Sequence, residues 1–277
     1  MPPGANALTG LLRREDERSG MLDAIARQIR YYLPSALAIA ALIVLWHTAV
    51  IVFQVKEFIL PTPGAALDTL FDPNYQWLHN LLVTLYAIAG GFALSAALGI
   101  GLAVLVVWDS ALERTILPIL VLFNTLPKVA LAPLFVIWLG YGVWPNIVIA
   151  VTIAFFPVVI NTAAGLSSVE PELLELTRQL KASKWQVFRK IRFPSALPYI
   201  FAGLKLAATL SVIGAIVGEF VASEAGLGNL IMAGGVTLDT PSIFAALTLI
   251  AFLGLALYGL VALAERVLVP WEFRDPT

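Results

Sequence analysis

Six stretches of this 277-residue chain run for about twenty residues with almost no charge. About 20 consecutive apolar residues match the ~30 Å hydrocarbon core of a bilayer when coiled as a helix. The runs extend from about Leu33 to Phe53, Leu81 to Val107, Ile116 to Leu139, Asn146 to Ala164, Leu197 to Val221 and Ile243 to Ala264. One globular core cannot hide that much apolar surface, because 60% of the residues are apolar and only 13% charged. Lipid offers the backbone no hydrogen bonds, so each crossing must satisfy its own groups as a helix. The fold class is therefore an all-α membrane protein with six transmembrane helices.

The segments between the runs set the topology. Lys56 to Asn80 reads as a loop, with Pro61, Pro63, Gly64 and Pro73 as turn formers. Pro118, Pro127 and Pro133 interrupt the third run and predict a bent helix. Gly140 to Pro145 gives a tight turn, bracketed by Trp138 and Trp144 as interfacial anchors, and a glycine-rich loop follows the fifth run. Lysine and arginine are the usual mark of cytoplasmic loops. Fourteen of the seventeen fall on one side if both termini are cytoplasmic: Arg13, Arg14, Arg18, Arg27, Arg30, Arg114, six between Arg178 and Arg192, Arg266 and Arg274. Lys56 alone lies in an outer loop, while Lys128 and Lys205 fall in or beside apolar runs. Residues 1–30 lack the short apolar core and small-residue cleavage site of a signal peptide. Within them, Met21, Leu22, Ile25 and Ile29 share a helical face. They suit a helix lying on the membrane surface and equally a solvated one.

Enzyme classes are hard to accommodate. There is no cysteine, His47 and His79 are the two histidines, and no glycine precedes a lysine, so thiol chemistry, a Cys/His zinc site and a phosphate-cradling loop all lack their residues. No catalytic residue and no metal ligand is assigned. The polar residues stranded in the runs are the candidates for a solute path. Lys128 follows Leu126-Pro127 at membrane depth, where a charge costs about 3 kcal/mol unless it meets water or a partner. It either lines a route, snorkels to the interface, or pairs with Asn124 or an acid. Asn124, Thr125 and Pro127 share the ambiguity between a polar path and a bent packing helix. Glu219, near the outer end of the fifth run, either gates the outer mouth or contacts a partner that delivers solute, or else bonds the backbone of the glycine-rich loop. Gly91, Ser95 and Gly99, at four-residue spacing, read as a helix-packing seam. His47 reads as a hydrogen-bonded interior histidine.

The longest polar stretch, Ser167 to Ser195, interleaves Leu173, Leu174, Leu176, Leu180, Trp185, Val187, Phe188 and Ile191 with charges. That pattern predicts one or two short amphipathic helices beneath the membrane. From Glu175 to Pro194 it resembles the EAA loop of ABC-importer permeases, whose pattern is E-A-A, three residues, G, nine residues, I-x-L-P. Glu175, Ile191 and Pro194 match in register, and Thr177 and Phe193 are tolerable replacements. Leu176 replaces an alanine and Lys181 stands at the glycine, which bears on how tight the turn is. Leu60-Pro-Thr-Pro, Thr125 to Gly140, Gly203-Leu-Lys-Leu-Ala and Val217 to Ile231 resemble the nitrate/sulfonate/taurine branch of the family.

The resemblance implies a type I ABC-importer permease in a bacterial inner membrane, acting as a homodimer. Its partners would be two ATPase subunits, which carry the ATP and Mg, and an extracytoplasmic solute-binding protein; the chain itself holds no cofactor, and nucleic acid has no place in this reading. The coupling contacts would come from Glu175, Leu176, Thr177, Lys181, Ala182 and Ser183. The chain then divides into a cytoplasmic segment 1–30, a permease domain 31–268 with its coupling loop at 167–195, and a cytoplasmic tail 269–277. The competing class is a secondary transporter driven by an ion gradient, whose inverted repeats and mid-membrane ion sites are not evident here.

Overall fold

The computed structural model describes residue 30 and residues 33–271, so the expected interfacial helix at Gly20 to Arg30 and most of the C-terminal tail lie outside the described residues. The chain forms two compact units, Met1–Ala65 and Ala66–Thr277. In the first, α1 (Leu33–Val52) is apolar on every face and most of its side chains are exposed, as a lipid-solvated helix requires. His47 is among the exposed residues in the single chain, which corrects the expectation of an interior histidine.

The expected loop before the second run is partly helical. It holds a short α2 (Pro63–Asp68) and two 3₁₀ turns, and the Asp72 carboxylate caps the second turn by accepting from Asn74 N at 2.9 Å. In the larger unit α3 (Trp77–Trp108) starts four residues before the apolar run, since His79 and Asn80 are inside the helix. There follow α4 (Ser110–Thr125), a 3₁₀ turn at Lys128–Leu131, α5 (Ala132–Leu139), α6 (Val143–Ser167), α7 (Pro171–Gln179), α8 (Lys184–Val187), α9 (Phe193–Ala222), α10 (Leu227–Thr237) and α11 (Thr240–Leu268). Asp109 begins α4 by accepting from Ala111 N at 2.7 Å. Among the described residues five helices are long and apolar enough to cross a membrane, and the α4–α5 pair, bent by 79°, makes six. The proline-interrupted third run is this broken span: Leu126 and Pro127 leave the helical conformation between its halves.

Helix α6 lies between α3 and α9 at the centre of the unit. Apolar burial gives no net drive between helices already in lipid, so close backbone approach through small residues must hold them. A Cβ added at Gly91 of α3 would stand 2.4 Å from Ala150 Cβ, and one added at Gly214 of α9 would stand 2.4 Å from Ala150 Cα. Ser95 is fully buried and donates to Val151 O at 3.5 Å, and a Cβ at Gly99 would meet Val158 at 2.7 Å. The Gly91–Ser95–Gly99 seam is thus packing within one subunit.

Two features depart from the sequence reading. The glycine-rich segment after α9 is a helix, α10, rather than a loop. Helix α8 also runs into α9 through a π turn at Phe188–Arg192, giving one apolar-to-amphipathic rod from Lys184 to Val221. The wider turn carries the chain into Pro194, which has no N–H to donate.

Candidate functional site

Helix α7 begins with Pro171 in its first turn, where a missing N–H is harmless, and places Glu172 early and Arg178 late, both favourable to its dipole. It stops in a Schellman motif: Lys181 N donates to Arg178 O at 2.9 Å and Ala182 N to Thr177 O at 3.0 Å, with Lys181 in the left-handed region at φ 54°. The position where the EAA pattern has glycine therefore keeps the glycine conformation in a lysine. A capping box opens α8 at once, with Ser183 Oγ accepting from Gln186 N at 3.2 Å and Gln186 Oε1 accepting from Ser183 N at 2.8 Å. The turn is as tight as the pattern demands.

One face of α7, through Leu174 and the buried Thr177, rests on the protein. The other presents Leu173, Leu176 and Leu180, which are 40, 51 and 73% exposed, as an apolar stripe spaced i, i+3, i+7. Glu175 sits beside that stripe and pairs with Arg178, at 3.3 Å, in an exposed pair of little energetic weight. Beside α7 a cavity of about 620 Å³ opens between Trp108, Glu113, Thr177, Ala182 and Arg192. Trp185 stacks on Phe188, ring centroids 5.6 Å apart, and Trp108 meets Phe188 edge-on at 5.6 Å, which fixes the α8 end against α3. Five of the six sequence-predicted coupling residues are exposed or half-exposed here; Thr177 is buried and donates to Leu174 O at 2.6 Å.

The path candidates do not form one site. Lys128, in the break between α4 and α5, donates to Asn124 Oδ1 and lies over the Phe156 ring, 5.7 Å from its centroid. Both residues line a cavity of about 340 Å³ with Phe123, Thr152, Phe155 and Phe156. Pro127 forms the break but does not line that cavity. Glu219 is elsewhere, 1% exposed, with Oε2 accepting from Gly228 N at 2.6 Å. The bond to the glycine-rich backbone that the sequence offered is formed. Gly226 N donates to Asn80 Oδ1 at 2.6 Å and Leu227 N to Thr84 Oγ1 at 2.8 Å, so side chains from α3 and α9 satisfy the first donors of α10. Sequence reasoning passed over Asn80 and Thr84, and it noted Lys205 without its partner: Lys205 Nζ meets the buried Glu265 at 2.5 Å between α9 and α11. A lysine stranded in the fifth apolar run and a glutamate at the end of the sixth were the available signal.

The family model for the inner membrane component of binding-protein-dependent transport systems matches residues 95–271, more than half of the chain. The chain belongs to this family. It is 35% identical over 83% of its length to the formylaminopyrimidine transport permease protein ThiX of Halalkalibacterium halodurans, of which it covers 92%. It is 37% identical over 83% of its length to the riboflavin transport system permease protein RibX of Chloroflexus aurantiacus, covering 87% of that protein. A putative aliphatic sulfonates transport permease protein, SsuC of Bacillus subtilis, is 31% identical over 84% of this chain and 85% of its own. Among solved structures, a chain of the MetNI methionine ABC transporter in an inward-facing conformation superposes with a TM-score of 0.61, covering 71% of this chain and 98% of that one at 20% identity. The fold is that of a type I importer permease. The chain is thus a membrane-embedded permease subunit of a binding-protein-dependent ABC importer, of the branch that includes sulfonate permeases, and the family reading displaces the ion-gradient alternative. Such a subunit works with an ATPase and a solute-binding protein, and its place is the inner membrane.

Proposed function

We propose that two copies of this chain form the solute pathway, with both termini cytoplasmic, and that α7 is the coupling helix that docks into a cleft on each of two ATPase subunits. The observation that carries the reading is the exposed Leu173–Leu176–Leu180 stripe beside Glu175, on a helix whose C-terminal end is fixed by a Schellman motif that leads straight into the capping box of α8. An amphipathic helix with an unburied apolar stripe fits a groove on a partner, with the charges at its rim setting register. The rigid Lys181–Ser183 turn passes the partner's motion on instead of absorbing it, and Ala182 keeps its approach clear. ATP and Mg belong to the partner, and a binding protein delivers solute at the opposite face. Solute then passes the Asn124–Lys128 cavity, whose cation favours anions. The relatives are named for a formylaminopyrimidine, riboflavin and aliphatic sulfonates, so a small organic solute suits this chain.

The test is recovery of the complex and transport per ATP hydrolysed. Glu175→Lys and Ala182→Trp should leave the chain inserted and folded but reduce ATPase copurification or uncouple hydrolysis from uptake. Losing a charged contact in a partly buried interface costs on the order of 2 to 5 kcal/mol, ample to deplete a complex. Full recovery with full coupling in both variants would reduce α7 to a membrane-surface helix.

A further inference from the structure

The cavity at the α4–α5 break has a sharply divided lining. Phe123, Phe155 and Phe156 give it aromatic walls, filled out by leucine and valine side chains. Its polar pole is made of Lys128, Asn124 and Thr152. The Lys128 ammonium has three N–H groups, and only Asn124 Oδ1 takes one as a hydrogen bond. The Phe156 face offers it a quadrupole but no counter-charge. Among the described residues no carboxylate lies within salt-bridge distance of Lys128, in contrast to Lys205, which has Glu265. Thr152, the remaining polar lining residue, already donates its hydroxyl to Val148 O at 2.8 Å and has only acceptor capacity left. A half-buried cation in the break of an apolar span, with spare donors and no acid beside it, suits an anion. The walls next to it are flat ring faces, which a planar ring fills by stacking or edge contact better than a flexible chain does. About 340 Å³ lies at the low end of the range for small-molecule clefts, room for one or two fused rings and too little for a two-chain lipid.

We infer that this cavity binds a small planar aromatic anion, with Lys128 and Asn124 holding its charged group and Phe156, Phe155 and Phe123 holding its ring. The inference rests on the reading of the chain as a solute pathway, and it names the class of solute. Lys128 sets the charge preference and Phe156 the preference for a ring over an aliphatic body of equal charge.

The test uses the full chain in phosphatidylcholine nanodiscs, photolabelled with 4-benzoylbenzoate and mapped by peptide mass spectrometry. Label is expected on the segments around Phe123–Lys128 and Val151–Phe156. Benzoate should compete at least 5-fold more effectively than hexanoate or ethanesulfonate. Phe156→Leu should bring benzoate and hexanoate to parity. Lys128→Gln should abolish labelling by 4-benzoylbenzoate while neutral benzophenone still labels the same segments. The competition arm needs only the unmodified chain and so stands even if a variant folds poorly. Equal competition by hexanoate overturns the aromatic assignment. Label outside these segments overturns the site. Label lost only on adding phosphatidylglycerol assigns the cavity to lipid and overturns the proposal. None of these results touches ATPase copurification by the Glu175 and Ala182 variants, so failure here and failure of the coupling reading are separately visible.

Discussion

Replacing Gly214 by alanine tests what holds the central helices together. The new Cβ would stand 2.4 Å from Ala150 Cα, 3.1 Å from Ala150 N and 3.2 Å from Ala150 Cβ. Non-bonded carbons settle at about 3.5–4.0 Å, so α9 and α6 must part by about 1 Å. Helix α6 cannot yield toward α3, because a Cβ at Gly91 would already be 2.4 Å from the same Ala150 on its other side. Overpacking of this kind typically costs ~1–3 kcal/mol. The upper end applies, because the gap also loosens the fully buried Ala154, Ala207 and Ala215 along the same seam. Alanine gains about 1 kcal/mol over glycine in helix propensity, leaving a net destabilisation of about 2 kcal/mol. In thermal unfolding of the detergent-solubilised chain that is a fall of roughly 4–8 °C, on the scaling for domains of 150–250 residues. Gly101→Ala is the matched control, for its added Cβ has nothing within 4 Å, and it should leave the midpoint unchanged or raise it. If Gly214→Ala unfolds at or above the temperature of Gly101→Ala, close approach at Ala150 does not hold α9 to α6 and the packing argument fails.

Three further outcomes follow from single contacts. Lys181→Gly removes a side chain from a left-handed position and should stabilise the α7–α8 turn by about 1 kcal/mol, seen as slower amide exchange at residues 181 and 182, whereas Lys181→Val should speed it. Glu265→Gln strands the Lys205 ammonium and should destabilise by about 3–5 kcal/mol in chemical denaturation, while Lys205→Met with Glu265→Leu should recover most of the loss. Glu219→Ala leaves the buried Gly228 N–H without its acceptor, at a cost of about 1–3 kcal/mol, and should raise hydrogen exchange through the first turn of α10 while leaving α6 protected.

The crossings were legible because lipid imposes one rule on every residue of a span, so a run of apolar side chains is enough to announce a helix. The break at Leu126–Pro127 was legible for the same local reason, proline geometry. What escaped depends on residues distant in sequence. Gly226 to Ile231 has the composition of a loop, and it becomes helical where Asn80, Thr84 and Glu219, two of them about 140 residues earlier, take its first amide protons. The start of α3 was misplaced because Asn80 looks like a loop residue until its role as an acceptor for Gly226 is known. At α7 the sequence pattern located the segment, and amphipathicity announced a helix. That Leu173, Leu176 and Leu180 face outward while Leu174 and Thr177 face the protein follows only from how the helix is seated. The Lys128–Asn124 pairing was open to an i, i+4 reading, but the phenylalanine walls come from α4 and α6 together and no local pattern joins them.

The π turn at Phe188–Arg192 gives the molecule a lever. Because α8 enters α9 without a hinge loop, the 38 residues from Lys184 to Val221 act as one shaft, about 57 Å long at 1.5 Å per residue. One end carries the α7–α8 turn and the other ends near Glu219, which clasps α10. A 5° swing about one end displaces the other by about 5 Å, close to one helical turn. Under the coupling reading proposed above, a push on α7 would reach the buried socket of α10 along this one continuous shaft.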